Sequence, residues 1–255
     1  MTVRAKKYFG QHFLKDALTA ERIVSFLSPS AKNILEIGPG KGILTQFLFN
    51  IKNANVRAVE IDHEAVQHLL KIFPHRADDI FKGDFLKVDL KNIFTGPFSI
   101  IGNFPYNISS QILFHVLENK ESVNEVIGMF QEEVARRIAS PPGNKDYGIL
   151  SVLLQAFYDV ELMLTLDEDD FSPPPKVKSA VLRMKRNDGN RLKSDEAFFF
   201  RVTKTAFNQR RKKLHNALSS LTGKNDAKLP YMDLRAEALH WQQFDELADA
   251  ISRLA

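Results

Sequence analysis

The sequence predicts an α/β protein: a Rossmann-like sheet of mostly parallel strands, an antiparallel hairpin added to it, and a small all-helical domain. Two observations support this fold class. Short apolar runs typical of buried strands alternate with helical patterns at least five times between residues 33 and 140, as in an open parallel sheet with helices on both faces. Beyond residue 195 only helical spacing remains.

The elements follow in order along the chain. Apolar residues at helical spacing predict a first helix over residues 16–27, which Pro29 ends. Short apolar runs predict strands at 33–37, 55–61, 79–82, 98–102 and 124–130. Helices are predicted between and after them at 43–49, 63–73 and 109–118, with another from Glu132.

The pattern then changes. Two strand-like segments, Val160–Leu166 and Ser179–Lys185, are separated by a proline-rich stretch and predict the antiparallel hairpin. The polar, turn-prone segment Asn187–Asn190 predicts a linker. Helical patterns over 196–221 and 233–254 predict the last domain. We therefore expect one domain at 1–187 and a helical domain at 188–255.

Composition excludes several classes of protein. Of the 255 residues, 44% are hydrophobic and none is cysteine, which rules out disulfides, thiolate zinc sites and a cysteine nucleophile. No apolar run approaches the roughly 18 residues of a membrane span, and the polar, basic start shows no signal-peptide pattern. We therefore expect a cytoplasmic protein with no membrane association. The net charge of +4 is mild, so the distribution of basic residues matters more than their sum.

A glycine-rich turn, Glu36–Gly42, follows the first predicted strand and precedes a helix. Glycines there let a ligand approach the main chain. Glu60, at the end of the next strand, can accept hydrogen bonds from both hydroxyl groups of a ribose. Asp84, after the third strand, can accept a hydrogen bond from the amino group of an adenine. Because loops at the carboxyl ends of parallel strands converge on one crevice, these residues favour a ligand site over a plain turn.

Two ligands compete for this turn. A dinucleotide would require the spacing G-x-G-x-x-G and would place its pyrophosphate against the helix N-terminus. Here the spacing is G-x-G-x-G, Ile43 replaces the third glycine of that motif, and Glu36 would repel a pyrophosphate. The cationic sulfonium and amino group of S-adenosylmethionine meet no such repulsion. The pattern therefore favours S-adenosylmethionine beside Gly38 and Gly40.

The fourth strand leads into Asn103-Phe104-Pro105-Tyr106, a turn suited to methylating adenine at N6. The N6 lone pair is delocalised into the ring, so the amine is a poor nucleophile. The Asn103 amide oxygen and the Phe104 carbonyl, aimed at the two N–H bonds, would favour a pyramidal nitrogen without a strong general base. Pro105 stiffens the turn, and Tyr106 offers a stacking face to a flipped-out base. The alternative is an ordinary turn with a core aromatic.

With these motifs the sequence resembles the ribosomal RNA adenine dimethyltransferases over nearly its whole length. Further matches are the segments 7–14, 59–62, 142–148, 171–181 and 207–212. The resemblance implies an S-adenosylmethionine methyltransferase sheet and a target base held between Tyr106 and Phe171. It implies cofactor contacts from His12, Leu14, Gly38, Glu60, Asp84 and Asn103. The family commonly has Asn at position 12 and Leu at position 104; both departures should be tolerated, since histidine still forms hydrogen bonds and Phe104 contributes its carbonyl.

Four consecutive basic residues, Arg210, Arg211, Lys212 and Lys213, suit a phosphate backbone, although a solvated helix face is the commoner meaning of such a run. With Phe207 and the basic N-terminus, we interpret the run as an RNA-binding site that contacts phosphates. The resemblance implies as substrate two adjacent adenosines near the 3′ end of 16S rRNA in the immature small ribosomal subunit, converted to N6,N6-dimethyladenosine. We expect a monomer. We also expect no metal site, because the histidines do not have the spacing of metal ligands.

Other functions stay open at this point. One alternative is a non-catalytic ribosome-assembly factor. Another is a methyltransferase that acts on an adenine of 23S rRNA or of DNA. A nicotinamide dehydrogenase is a more distant alternative. The complete set of cofactor residues argues against a purely non-catalytic factor. The stretch 207–212 and the triple proline favour the small-subunit substrate.

Overall fold

The structure, a computed structural model, describes residues 3–187, 189, 192–223 and 228–254. Its strands are β1 (Phe13–Leu14), β2 (Asn33–Ile37), β3 (Asn55–Glu60), β4 (Ile80–Lys82), β5 (Phe98–Asn103), β6 (Val123–Gln131), β7 (Tyr158–Leu166), β8 (Phe171–Ser172) and β9 (Ser179–Arg186). Its helices are α1 (Ala17–Val24), α2 (Thr45–Leu48), α3 (His63–Ile72), α4 (Ser109–Glu118), α5 (Glu132–Ala139), α6 (Ile149–Gln155), α7 (Glu196–Asn208), α8 (Leu214–Ala217), α9 (Ser219–Thr222) and α10 (Trp241–Ser252). Asp188 and Asn190 of the predicted linker lie outside the described residues.

One mixed sheet has the strand order β4-β3-β2-β5-β6-β9-β7. Neighbouring strands from β4 to β6 are parallel, and β9 is antiparallel to β6. The two strands of the predicted hairpin, β7 and β9, are neighbours at one edge. The predicted fold class is confirmed. The strand order reverses between β2 and β5, so the crevice at their carboxyl ends is the place where open sheets of this kind bind ligands.

The central strands are buried because helices cover both faces of the sheet. All of β5 up to Gly102 is buried, as are Ile34 and Leu35 of β2. Helix α3 begins where the Asp62 carboxylate accepts from the main-chain N–H of Glu64 (3.0 Å). One large core cluster joins β2, β5, β6 and β9 to α1 and α2. Each fully buried Leu or Ile there contributes roughly 1.5–3 kcal/mol to stability.

The chain forms two compact units, residues 1–135 with 161–186 and residues 136–160 with 187–255. In the second unit the Phe207 ring lies 6.3 Å from the Tyr147 ring and 5.8 Å from the Phe244 ring. These contacts join the segment 136–160 to the C-terminal helices, although the sequence analysis assigned it to the first domain. The division into functional domains at 1–187 and 188–255 stays a prediction.

The C-terminal helices are more broken than their spacing predicts. Helix α7 ends at Asn208, and Gln209 has non-helical dihedral angles (φ −121°, ψ 41°). The basic run at 210–213 therefore lies on a turn before α8 and not on a continuous helix. The Arg210 side chain bonds to main-chain carbonyls elsewhere in its unit, which stabilises the turn. No helix in the described ranges has the length and apolarity needed to cross a bilayer.

Candidate active site

A cavity of about 230 Å³ opens at the carboxyl ends of β2, β3, β4 and β5. It brings together most of the predicted site residues. Its lining includes His12, Gly38, Gly40, Glu60, Asp84, Asn103, Phe104, Pro105 and Tyr106. Leu14 and Phe171 are the two members of the predicted set, outside the basic run, that do not line it.

The glycine turn after β2 forms the floor of the cavity. Gly38 and Gly40 have φ values of +65° and +57°, in the left-handed region that side chains disfavour. A Cβ on Gly40 would lie 2.8 Å from the Phe13 ring. The main-chain N–H of Gly40 donates to Oε2 of Glu60 (2.9 Å). Only glycine therefore allows this approach of the turn to its neighbours.

Glu60 is 3% exposed and is oriented by the main chain. Its Oε1 accepts from the N–H of Asp62 (2.8 Å), and its Oε2 accepts from Gly40. Burial raises the pKa of this carboxyl, and these hydrogen bonds oppose that shift. Each oxygen retains a second lone pair. Glu60 is therefore held as an acceptor suited to a vicinal diol.

Asp84 follows β4 on the same rim of the cavity. Its carboxylate accepts from the main-chain N–H of Leu86 (3.1 Å), and Lys87 lies at 3.8 Å. The side chain is 31% exposed, so it keeps acceptor capacity toward the cavity. The residues Glu60 and Asp84 thus offer acceptors at the ends of adjacent parallel strands, as the sequence predicted.

Glu36 is buried in β2, and its Oε2 has no hydrogen-bond partner among the described residues. Burial raises its pKa to about 8, an effect that the nearby Thr45 hydroxyl opposes and the Glu60 charge reinforces. The carboxyl is therefore mostly protonated at pH 7 in the free protein. The repulsion of a pyrophosphate by a charged Glu36, which the sequence suggested, does not apply to this state. Together with Gly38 and Asn103, Glu36 lines a small pocket beside the main cavity.

The turn after β5 presents one side-chain amide and one main-chain segment. The Asn103 amide nitrogen donates to the main-chain carbonyl of His12 (2.6 Å), so the amide oxygen is the atom available to accept from a ligand. The Phe104 ring is fully buried and packs edge-on to Phe130, with ring centroids 5.3 Å apart. A Cβ on Gly128 would lie 2.6 Å from the Phe104 ring. Phe104 therefore contributes its main chain to the cavity, as the sequence predicted.

Tyr106 presents an aromatic face in the same cavity. Its hydroxyl forms a short hydrogen bond with the Ser179 hydroxyl, and burial raises the pKa of the phenol. The His12 ring stacks on the Tyr106 ring with centroids 5.6 Å apart and planes tilted by 23°. The His12 Nδ1 donates to the carbonyl of Pro173 (2.8 Å). This histidine thus joins the N-terminal segment to both the Asn103–Tyr106 turn and the proline-rich loop.

Phe171 and Leu14 lie opposite each other in the antiparallel pair β1–β8. Their side chains are 1% and 4% exposed and belong to the large core cluster. The rings of Phe171 and Tyr106 do not line the same cavity in this structure. The next residue pair along these strands contains Phe13, which does line it, so Phe171 lies close behind the cavity wall. The roles implied for Leu14 and Phe171 stay predictions.

Residues 8–11 of the N-terminal segment form a cavity wall that the sequence did not predict. The Lys6 ammonium bonds to Asp62 (2.5 Å), and the Gln11 amide bonds to the same carboxylate (3.3 Å). Burial opposes ionisation of Asp62, but these hydrogen bonds outweigh it and hold the pKa of Asp62 below its ordinary value. Tyr8 and Phe9, between the two anchors, line the cavity. The signals in the sequence were the basic and aromatic character of this segment and the motif match over residues 7–14.

The basic run lies in the second unit, and its four side chains differ in the partners that they contact. Arg210 donates to the main-chain carbonyls of Lys145 and Asn144, so it holds its own unit together. Lys213 pairs with Asp233 (3.2 Å). Arg211 and Lys212 are exposed and form no ion pair with any described residue. The described residues contain no group of three or more His, Asp and Glu side chains able to hold a metal ion.

Comparison with known proteins identifies the family. The family model described as "Ribosomal RNA adenine dimethylase" matches residues 2–252. Two proteins named "Ribosomal RNA small subunit methyltransferase A" are each 52% identical. The one from Cytophaga hutchinsonii matches over 98% of this chain and 98% of its own length, and the one from Parabacteroides distasonis matches over 96% and 93%.

Solved structures agree with the fold. A dimethyladenosine transferase from Plasmodium falciparum has a TM-score of 0.78 at 21% identity, over 95% of this chain and 98% of its own. The 23S rRNA methyltransferase ErmE has a TM-score of 0.70 at 25% identity, over 94% and 99%. The family match over nearly the whole chain, and the cavity at the ends of β2 to β5, agree with the predicted resemblance. This chain belongs to the ribosomal RNA adenine dimethylase family of S-adenosylmethionine-dependent methyltransferases.

Proposed function

We propose that this protein transfers methyl groups from S-adenosylmethionine to N6 of two adjacent adenosines near the 3′ end of 16S rRNA, giving N6,N6-dimethyladenosine. The relatives named for the small ribosomal subunit support this substrate. The observation that carries the chemistry is the Asn103 amide, held by the His12 carbonyl at the rim of the cavity. The protein acts in the cytoplasm as a monomer on the immature small subunit, and its binding there contributes to assembly.

The residues present fit the cofactor. Glu60 holds the ribose hydroxyls, Asp84 the adenine amino group, and the turn at Gly38 and Gly40 the methionine part. The unpartnered Glu36 oxygen beside that turn suits a ligand with a cationic end. His12 and the main chain at Leu14 complete the contacts. When bound, S-adenosylmethionine supplies an electrophilic methyl group on a sulfonium.

The catalytic turn positions the amine. In the first transfer the Asn103 amide oxygen and the Phe104 carbonyl would accept hydrogen bonds from the two N6–H groups, and in the second from the one that remains, so that the nitrogen lone pair faces the bound methyl donor. Each N–CH3 bond would form as the S–CH3 bond of the donor breaks, and one N6 proton would leave to solvent. Both acceptors are set before the substrate arrives, since His12 fixes the Asn103 amide and the buried Phe104 ring fixes the main chain. Pro105 limits the freedom of the turn. Rate acceleration therefore comes from geometry and from charge stabilisation at N6.

Two aromatic rings hold the flipped-out adenine. Tyr106 supplies one face, and its hydroxyl is tethered by Ser179. Phe171 supplies the other after its ring leaves the core, from a strand that borders the cavity wall. The exposed Arg211 and Lys212, with Arg210 and Lys213, bind phosphates of the rRNA.

Replacing Asn103 by alanine tests this mechanism. With labelled cofactor and unmodified small subunits, we expect Asn103→Ala to lower methyl transfer by about 10²–10³-fold, the usual effect of removing one preorganised polar group from a transition state. Affinity for the subunit should stay within about twofold, because the amide contacts a single base. Asn50→Ala removes an exposed amide just after α2, outside the cavity lining, and is the matched control. Equal loss of binding and transfer would contradict the assignment.

A further inference from the structure

Tyr8 and Phe9 form an aromatic pair at the mouth of the cavity. The Tyr8 ring is 71% exposed, and its centroid lies 4.3 Å from that of Phe9 with the planes tilted by 52°. Both residues belong to the cavity lining. A large exposed ring beside a ligand cavity is a common mark of a binding surface, since solvent contact of apolar area is unfavourable.

The turn that carries the pair is anchored on both sides. The pair occupies a single 3₁₀ turn, Lys7–Phe9, which ends at Gly10 in the left-handed region (φ +63°). A Cβ on Gly10 would lie 2.7 Å from the Asn107 side-chain oxygen, so the turn packs directly on the loop that follows the catalytic residues. Lys6 and Gln11, on either side, both bond to Asp62. Holding the rings in place before binding lowers the entropy cost of a contact with them.

We propose that Tyr8 and Phe9 are a second stacking site, which binds the nucleobase next to the adenosine in the catalytic pocket. This inference rests on the proposed function, in which the target base is held between Tyr106 and Phe171 with its amine at the Asn103 turn. Single-stranded RNA is held chiefly by stacking of unpaired bases on aromatic rings. The neighbouring base stays at the mouth, where Tyr8 is exposed, and Lys7, exposed on the same turn, contacts the linking phosphate.

The site has a chemical consequence for two adjacent targets. The enzyme can hold one adenosine at the mouth while it methylates the other, so the base that waits is already bound. Stacking tolerates any flat base, and a methylated adenine keeps its flat face. The pair can therefore stack on either of the two adenosines, and it should bind a nucleotide that has a base more tightly than an abasic nucleotide.

A cycle of protein and RNA changes tests the proposal. Small subunits are reconstituted with rRNA that carries a ligated synthetic 3′ fragment. In one version of the fragment both adenosines are intact, and in the other one of them is replaced by an abasic nucleotide. Methyl transfer to the adenosine that is intact in both versions is measured as kcat/KM. On the intact neighbour we expect Tyr8→Ala to lower kcat/KM about tenfold, as stacking energies imply. On the abasic neighbour Tyr8→Ala and the unaltered protein should agree within about twofold.

The controls separate stacking from folding. Tyr8→Phe keeps the ring and should retain activity on both substrates. Leu18→Ala removes an equally exposed apolar side chain (76% exposed) that lies outside the cavity lining, and it should change neither. An equal loss for Tyr8→Ala on both substrates, or no loss on either, overturns the second stacking site. Absence of methyl transfer by the unaltered protein on the intact RNA would instead overturn the proposed function.

Discussion

Replacement of Glu36 by glutamine reports directly on the buried carboxyl beside the cofactor turn. Glu36 is 1% exposed, and burial raises its pKa from 4.5 to about 8. Between these two pH values the folded protein binds one more proton than the unfolded chain. The contribution of Glu36 to the stability of the protein must therefore fall as pH rises through this window, and its loss is complete above pH 8.

The size of the loss follows from the two pKa values. Each tenfold change in proton affinity corresponds to about 1.4 kcal/mol, so the difference between 4.5 and about 8 gives an upper limit of about 5 kcal/mol. We therefore expect a loss of about 3–5 kcal/mol as the pH rises through this window. Glutamine has nearly the shape of the protonated carboxyl and cannot ionise. Glu36→Gln should therefore match the unaltered protein near pH 5 and exceed its stability at pH 8.5.

Urea unfolding at pH 5, 6, 7 and 8.5, without cofactor, measures the effect. The difference in unfolding free energy between Glu36→Gln and the unaltered protein should grow with pH, with its steepest change between about pH 5.5 and 7 and a plateau above pH 8. Glu21→Gln, at an exposed position on α1, is the matched control and should show no such growth. A difference that is constant with pH would refute the reasoning, because it would mean that Glu36 titrates alike in both states.

Two further predictions concern RNA and base binding. The double variant Arg211→Gln, Lys212→Gln should weaken rRNA binding uniformly. The slope of log affinity against log salt should fall by about 0.7 for each phosphate that the protein no longer neutralises. Filter binding at several salt concentrations measures this slope, and an unchanged slope would show that these residues do not contact the RNA. Tyr106→Ala and Phe171→Leu should each lower methyl transfer about tenfold, as removal of one stacking face implies. Phe171→Leu keeps a large apolar side chain, and its urea unfolding midpoint shows whether a loss of activity comes from a destabilised core. Full activity in that variant would exclude Phe171 from the base site.

Much of the candidate site follows from local sequence. The glycine turn, Glu60, Asp84 and the Asn103–Tyr106 turn each stand at the end of a predicted strand, and the convergence of parallel strand ends is a general property of such sheets. The cavity lining agrees with that placement. The fold class and the family are confirmed. The roles of the individual site residues stay predictions that the mutations above test.

Other features depend on contacts between distant segments, which periodicity does not reveal. The burial of Leu14 and Phe171 comes from the pairing of β1 with β8. The protonation of Glu36 depends on the packing of β2 within the sheet. The N-terminal wall with Tyr8 forms because Lys6 and Gln11 meet Asp62. In each case the residue type was visible, and its partner was not.

The most direct test of the methyltransferase assignment is to identify the modified nucleotides. The protein is incubated with S-adenosylmethionine and unmodified small ribosomal subunits, and the rRNA is digested and mapped by mass spectrometry. We expect N6,N6-dimethyladenosine at two adjacent positions near the 3′ end of 16S rRNA, and about 10²–10³-fold slower formation of it with Asn103→Ala. Small-subunit rRNA that stays unmodified, or that is methylated at atoms other than adenine N6, would contradict the assignment.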